Sequence, residues 1–233
     1  MSKKKQKRHQ IAKGFGANSQ AVESAVRKVE KLLYEKKWEK AKSKLEELEE
    51  RFPNHREVLR EKVNFYYEIG DTRNYQHAAE RLLSVEPNDK LAMLGLAGAY
   101  MANKHPFLAL QAFKQFLERY PQDQQAEKVR ETVARLEEQR DNLVKDIGLD
   151  GEDAYTLATW HEQASSQLEI GQIEEACQLE KQILAKRPDF FPALNNISLA
   201  RWYEGNFTEA IEAAQQVLAK QADNFHALSN LTR

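Results

Sequence analysis

Apolar residues along this chain recur at the three-to-four spacing of amphipathic helices, and proline interrupts the pattern at regular intervals. Pro53, Pro87, Pro121 and Pro188 stand 34, 34 and 67 residues apart. Proline removes an amide donor and clashes with the preceding turn, so it stops a helix. Regularly spaced stops therefore mark regularly spaced helical units, and this period is that of a stacked helix–turn–helix array.

With the proline at position 32, repeats start at Val22, Arg56, Lys90, Leu157 and Phe191. Position 8 reads Val29, Val63, Ala97, Ala164 and Ser198, small as where two helices cross closely. Position 20 reads Ala41, Tyr75, Ala109, Ala176 and Ala210, and position 27 reads Leu48, Leu82, Phe116, Ile183 and Val217. Position 15, between the helices, reads Lys36, Gly70, Lys104, Gly171 and Gly205; glycine there supplies the left-handed residue that ends a first helix.

Three residues break the pattern, one of them Ala222, which replaces the last proline. Tyr75 replaces a small residue, so packing in the second repeat must adjust locally. Glu180 occupies an apolar position of the fourth. A sixth repeat begins at Phe225 and continues through Leu228 and Leu231. Its uncovered apolar face predicts either a chain that runs on into further repeats or a short capping helix.

The 67-residue interval contains a stretch that matches no repeat. Residues 124–147 read as one long helix with a narrow apolar stripe of Val129, Val133, Leu136, Leu143 and Ile147. It predicts a cap or bridge for the first three repeats, or alternatively a short coiled-coil contact. The glycine-containing loop 148–153 then reads as a hinge, with Asp153 placed to cap the next helix. The expected division is a basic arm (1–20), a three-repeat block (21–123), the helix and hinge (124–152), and a second block (153–233).

Composition agrees with a thin, elongated stack. Hydrophobic residues make up 41% of the 233 and charged residues 30%, with only 9 Gly and 6 Pro. The net charge of −1 steers the whole chain toward neither nucleic acid nor membrane. The one cysteine, Cys177, excludes an internal disulfide and fits a reducing, cytoplasmic setting. No apolar run approaches a membrane span, and no apolar core follows the basic start as a signal peptide requires. Lys3, Lys4, Lys5, Lys7, Arg8 and Lys13 precede the first acid, Glu23. Such an arm can contact RNA, a ribosome or anionic lipid with salt-sensitive affinity, although basic starts are common on ordinary proteins.

The sequence carries no constellation for catalysis. The six histidines are scattered without ligand spacing, so no metal is expected. Gly14-Phe-Gly16 precedes no strand, so no phosphate loop and no cofactor are expected. Cys177 follows a core alanine and reads as a packing residue.

The stretches 69–75, 169–176 and 203–214 resemble the tetratricopeptide repeat (TPR) family, as do Trp160 and Leu194 at position 4 and Trp38 and Phe207 at position 17. The resemblance covers about residues 22–121 and 157–233. It implies an all-α, right-handed α-solenoid of five repeats and a partial sixth, interrupted by the long helix.

It also implies a concave groove lined by the first helices. In the first block this brings in Arg60, Asn64 and Tyr67, then Leu91, Leu94, Gly98 and Met101. Arg60 and Asn64 resemble half of the carboxylate clamp of chaperone-binding TPR proteins. Gly95 stands where that clamp needs an amide, which argues against it. The second block offers His161, Ser165, Asn195, Leu199, Trp202 and Tyr203. Asn196 and Asn230 share position 6, as in asparagine ladders that hold peptide backbones. They equally fit residues that satisfy local backbone. Trp202 and Tyr203 read either as interface anchors or as packing on a neighbouring helix.

The expected function is a protein–protein interaction scaffold that takes a peptide segment or partner helix in the groove. The alternatives are an RNA- or ribosome-associated factor using the arm, and the non-catalytic regulatory module of a larger enzyme.

Overall fold

The computed structural model describes residues 21–233, so the basic residues 3–13 lie outside the described part. Among the described residues every regular element is a helix. The chain divides into two compact units, one ending at Lys104 and the other spanning His105–Arg233.

The first unit holds helical residues 21–34 (α1), then α2 (Trp38–Arg51), α3 (Arg56–Ile69), α4 (Thr72–Val85) and α5 (Lys90–Ala102). The second holds α6 (Pro106–Arg119), α7 (Ala126–Asp146), α8 (Ala154–Glu169), α9 (Ile173–Lys186), α10 (Phe191–Tyr203), α11 (Phe207–Leu218) and α12 (Phe225–Leu231). Pro53, Pro87, Pro121 and Pro188 each follow a helix by two residues, after the last turn has closed. Pro106 instead opens α6, where its missing amide has no intrahelical partner to lose.

The repeat register holds at every diagnostic position. Position 8 and position 27 are buried in all five repeats, and the four alanines of position 20 are buried too. Position 15 adopts left-handed φ throughout: Lys36 +55°, Gly70 +71°, Lys104 +65°, Gly171 +77° and Gly205 +76°. After Lys36, Gly70, Gly171 and Gly205 the next residue closes the helix end by donating five residues back, as Asp71 N–H does to Tyr66 O at 3.0 Å. The two lysines hold this conformation despite the steric cost of a side chain there.

In the first unit, α1, α2 and α3 share a core of Val22, Val29, Leu45, Leu48 and Phe65, while α3, α4 and α5 share one of Leu59, Ala79, Leu82 and Leu96. Tyr75 finds its room against a glycine. Its hydroxyl lies 1.8 Å from where a Cβ at Gly95 would stand.

In the second unit α7 packs on α6 and α8, and α8 also packs directly on α6. Val129, Val133 and Leu136 are buried, so the apolar stripe of the long helix is occupied inside this unit and not held out for a coiled coil. The expected division after residue 123 is therefore not the one the compact units follow, because α6 buries its face with the helices that come after it.

The loop 148–153 lies inside the same unit. Leu149 is buried in a core with Phe107, Val144, Leu157 and Phe190. Arg187 donates to Asp150 O at 3.1 Å and to Asp153 Oδ1 at 2.6 Å. Asp153 occupies the N-cap position of α8 without a side-chain capping bond, because its carboxylate is engaged by Arg187 and Lys186 instead. The expected hinge is a pinned turn.

Candidate functional site

The second unit contains a cavity of about 580 Å³ between α8, α10 and α12. His161, Asn195, Asn196, Leu199 and Asn230, five of the residues singled out from the sequence, line it. Phe190, Phe191 and Pro192 add an apolar wall at the start of α10, and Asp146 and Asp189 add exposed carboxylates.

Beneath this wall lies Glu180 of α9, only 1% exposed. Its carboxylate accepts from Asn196 Nδ2 at 2.6 Å and contacts His161 Nδ1 at 2.9 and 3.2 Å. Asn196 Nδ2 also donates to Ser165 Oγ at 3.0 Å. A carboxylate buried without donors is strongly unfavourable, and these two side chains supply them. The acid that breaks the apolar pattern at Glu180 thus explains the polar residues facing it.

The other amides are also oriented by the chain. Asn230 Nδ2 donates to Asn195 O at 3.0 Å, which ties α12 to α10. Asn224 Oδ1 accepts from Ala227 N–H at 3.0 Å as the N-cap of α12, and Asn195 Nδ2 donates to the same oxygen at 3.2 Å. Asn195 is 7% exposed, and its Oδ1 has no partner among the described residues.

A family model for the tetratricopeptide repeat matches residues 66–124 and 195–231, spans that include the helices carrying these asparagines. Those two stretches carry tetratricopeptide repeats.

Several solved structures are similar to this chain at low sequence identity. The TPR domain of P58(IPK) is 14% identical, with 99% of this chain and 68% of that one covered, at a TM-score of 0.49. A tetratricopeptide repeat protein from Parabacteroides merdae is 12% identical, with 89% and 82% covered, at 0.44. YrrB, described as a TPR protein with an unusual peptide-binding site, is 15% identical, with 90% and 91% covered, at 0.37. No curated protein matches the chain in sequence.

The remaining predicted residues of this repeat chain do not join the cavity. Trp202 is half-buried, meets Tyr203 edge-on at 5.4 Å and carries the Arg233 guanidinium at 5.8 Å from its ring centre. Tyr203 is 54% exposed. Neither ring lines the cavity.

In the first unit Arg60 is engaged within its own fold. It bonds Glu57 at 3.0 Å, Glu86 at 2.6 Å and Asp89 at 3.2 Å, so three carboxylates surround the cation expected to face a partner. Asn64 Nδ2 donates to Glu61 Oε1 at 3.0 Å. Burial, with Glu30 nearby, pushes the Glu61 carboxyl up to about 7. Leu94 is half-buried, and Met101 is exposed.

Tyr67, 72% exposed, belongs to a separate pocket of about 400 Å³. Tyr66 and Tyr75 share its wall, and Gly95, Gly98, Ala99 and Ala102 form an apolar floor. Sequence reasoning missed Glu180 and Asn224 as parts of the C-terminal site. The only signal for Glu180 was a charge at an apolar position.

Among the described residues no helix is long and apolar enough to cross a membrane. No group of three or more His, Cys, Asp or Glu among them is arranged to hold a metal ion.

Proposed function

We propose that the chain is a protein-interaction module whose C-terminal unit grips an extended segment of a partner protein. One observation carries this reading: α8, α10 and α12 bring His161, Asn196, Leu199 and Asn230 to one cavity of about 580 Å³. Its mixture of apolar wall and fixed amide groups suits a peptide, whose backbone needs hydrogen-bond partners and whose side chains need apolar surface. The repeat fold supports the class of function, as an array of helix pairs presents side chains from successive first helices along one surface. The buried thiol of Cys177 and the absence of disulfide pairs fit a reducing compartment, where we place the protein.

Mapping a peptide obtained from a random display selection tests the reading. Amide resonances of α8, α10 and α12 should shift on titration. Shifts confined to the first unit, or to the outward face of α11, would refute it.

A further inference from the structure

We propose that the groove of the C-terminal unit selects a donor-rich, cationic group, an arginine or lysine side chain of the bound segment. This deepens the peptide-gripping reading and rests on it. The argument starts from which way each amide is turned.

Carboxylates and main-chain carbonyls can only accept. Asn196 therefore has to turn Nδ2 toward Glu180, and Asn230 has to turn Nδ2 toward Asn195 O. Each amide then leaves its Oδ1 without a partner among the described residues, on a side chain that lines the cavity. Asn195 is fixed in the same way. The oxygen it faces already accepts the Ala227 amide as a helix cap, so Asn195 must donate to it. Its own Oδ1 is an acceptor with no donor in a side chain 7% exposed.

His161 follows the same logic. His161 Nδ1 lies 2.9 Å from the Glu180 carboxylate, so that nitrogen is turned into the fold. Asp146 and Asp189 complete the lining with exposed carboxylates that form no ion pair among the described residues. Asn195, Asn196 and Asn230 thus each leave an oxygen unpartnered among the described residues, whereas Gln221 is turned the other way, its Oε1 accepting from Asn224 Nδ2 at 2.8 Å.

Arg233 is the arginine of the lining, and its guanidinium stacks on Trp202 at 5.8 Å. An arginine side chain brings five N–H donors and no acceptor, which complements such a wall. A carboxylate ligand would meet the three asparagine oxygens and the carboxylates of Asp146 and Asp189.

The test uses the whole chain and three short acetylated, amidated Ser/Gly peptides that carry spaced arginines, glutamines or glutamates. Affinity is measured by titration at physiological ionic strength, and the site by amide resonances. The arginine peptide should bind about tenfold more tightly than the glutamine peptide, a difference set by charge complementarity. Asp189→Lys, an exposed position, should abolish that preference. Asn230→Ala should weaken the arginine peptide.

Equal or tighter binding of the glutamine or glutamate peptide at α8, α10 and α12 would overturn the cation preference and leave the groove reading standing. Arginine-peptide binding unchanged by both substitutions would place the cation elsewhere and overturn it too. If no peptide shifts resonances of these helices, both the preference and the groove reading fall.

Discussion

Tyr75 and Gly95 occupy one space. A Cβ on Gly95 would stand 1.8 Å from the Tyr75 hydroxyl oxygen and 2.9 Å from the ring carbon that bears it. The large residue at position 20 of the second repeat is accommodated by the missing side chain at position 6 of the third. Glycine inside a helix costs about 1 kcal/mol relative to alanine, so Gly95→Ala would stabilise α5 if nothing stood in the way. With a rigid ring in contact, overpacking reverses the sign and the substitution should destabilise by about 1–3 kcal/mol. In a Tyr75→Ala background the same change should cost at least ~1 kcal/mol less, read by a double-mutant cycle in urea. Independent, additive effects would show that the two sites are not coupled.

Lys36 makes the opposite prediction. It holds φ +55° at the end of α1, where a side chain crowds the carbonyl oxygen and glycine does not. Lys36→Gly should raise the unfolding free energy by about 0.5–1 kcal/mol, and Lys104→Gly should do likewise. Equilibrium denaturation decides it, and a loss of stability would contradict the strain assigned to these turns.

Asn196 should matter for stability as well as for binding. Asn196→Ala takes a donor from a Glu180 carboxylate that is 1% exposed, which should cost about 1–3 kcal/mol. Replacing Glu180 by leucine as well should recover part of that loss, because no buried charge is left in need of a donor. A double variant no more stable than Asn196→Ala would count against this account.

Glu162 ties α8 to α6 by accepting the amides of Phe107 at 3.2 Å and Leu108 at 2.8 Å. Burial pushes its carboxyl up to about 8, against the pull of those two amides. A group whose folded value is raised holds its proton in the native state after the unfolded chain has lost it. Stability from Glu162 should therefore be fully present below about pH 4.5 and decline as pH rises toward about 8, at no more than ~1.4 kcal/mol per pH unit. Urea denaturation of Glu162→Gln between these limits should show a shallower decline than wild type. A decline of equal slope in both would assign the pH dependence to other groups.

The repeats were legible in the sequence because three constraints recur in each of them. Positions 8 and 27 are packing positions, position 15 is a conformational one, and the fold places all of them as the period requires. The role of the long helix was harder to read. Its stripe of Val129, Val133 and Leu136 says that one face is buried, and periodicity cannot say against which partner. Nor did the glycines of loop 148–153 disclose that Arg187 and Lys186 would pin the turn.

At the candidate site, position numbers placed His161, Asn195, Asn196, Leu199 and Asn230 along one groove. They did not disclose the ion pairs of Arg60, because Glu86 and Asp89 lie on the chain after α3, outside any pattern internal to that helix. The orientation of each amide was also invisible in the sequence, since it depends on what the neighbouring atom can accept.

The groove itself is tested most directly by calorimetric titration of one display-selected peptide into the wild-type chain and into Leu199→Lys. Leu199 lines the cavity and is half-buried, so a lysine there places bulk and charge where the segment would lie. The account predicts a loss of affinity of at least about tenfold with helical content unchanged. Equal affinity of the two folded proteins for that peptide would contradict it.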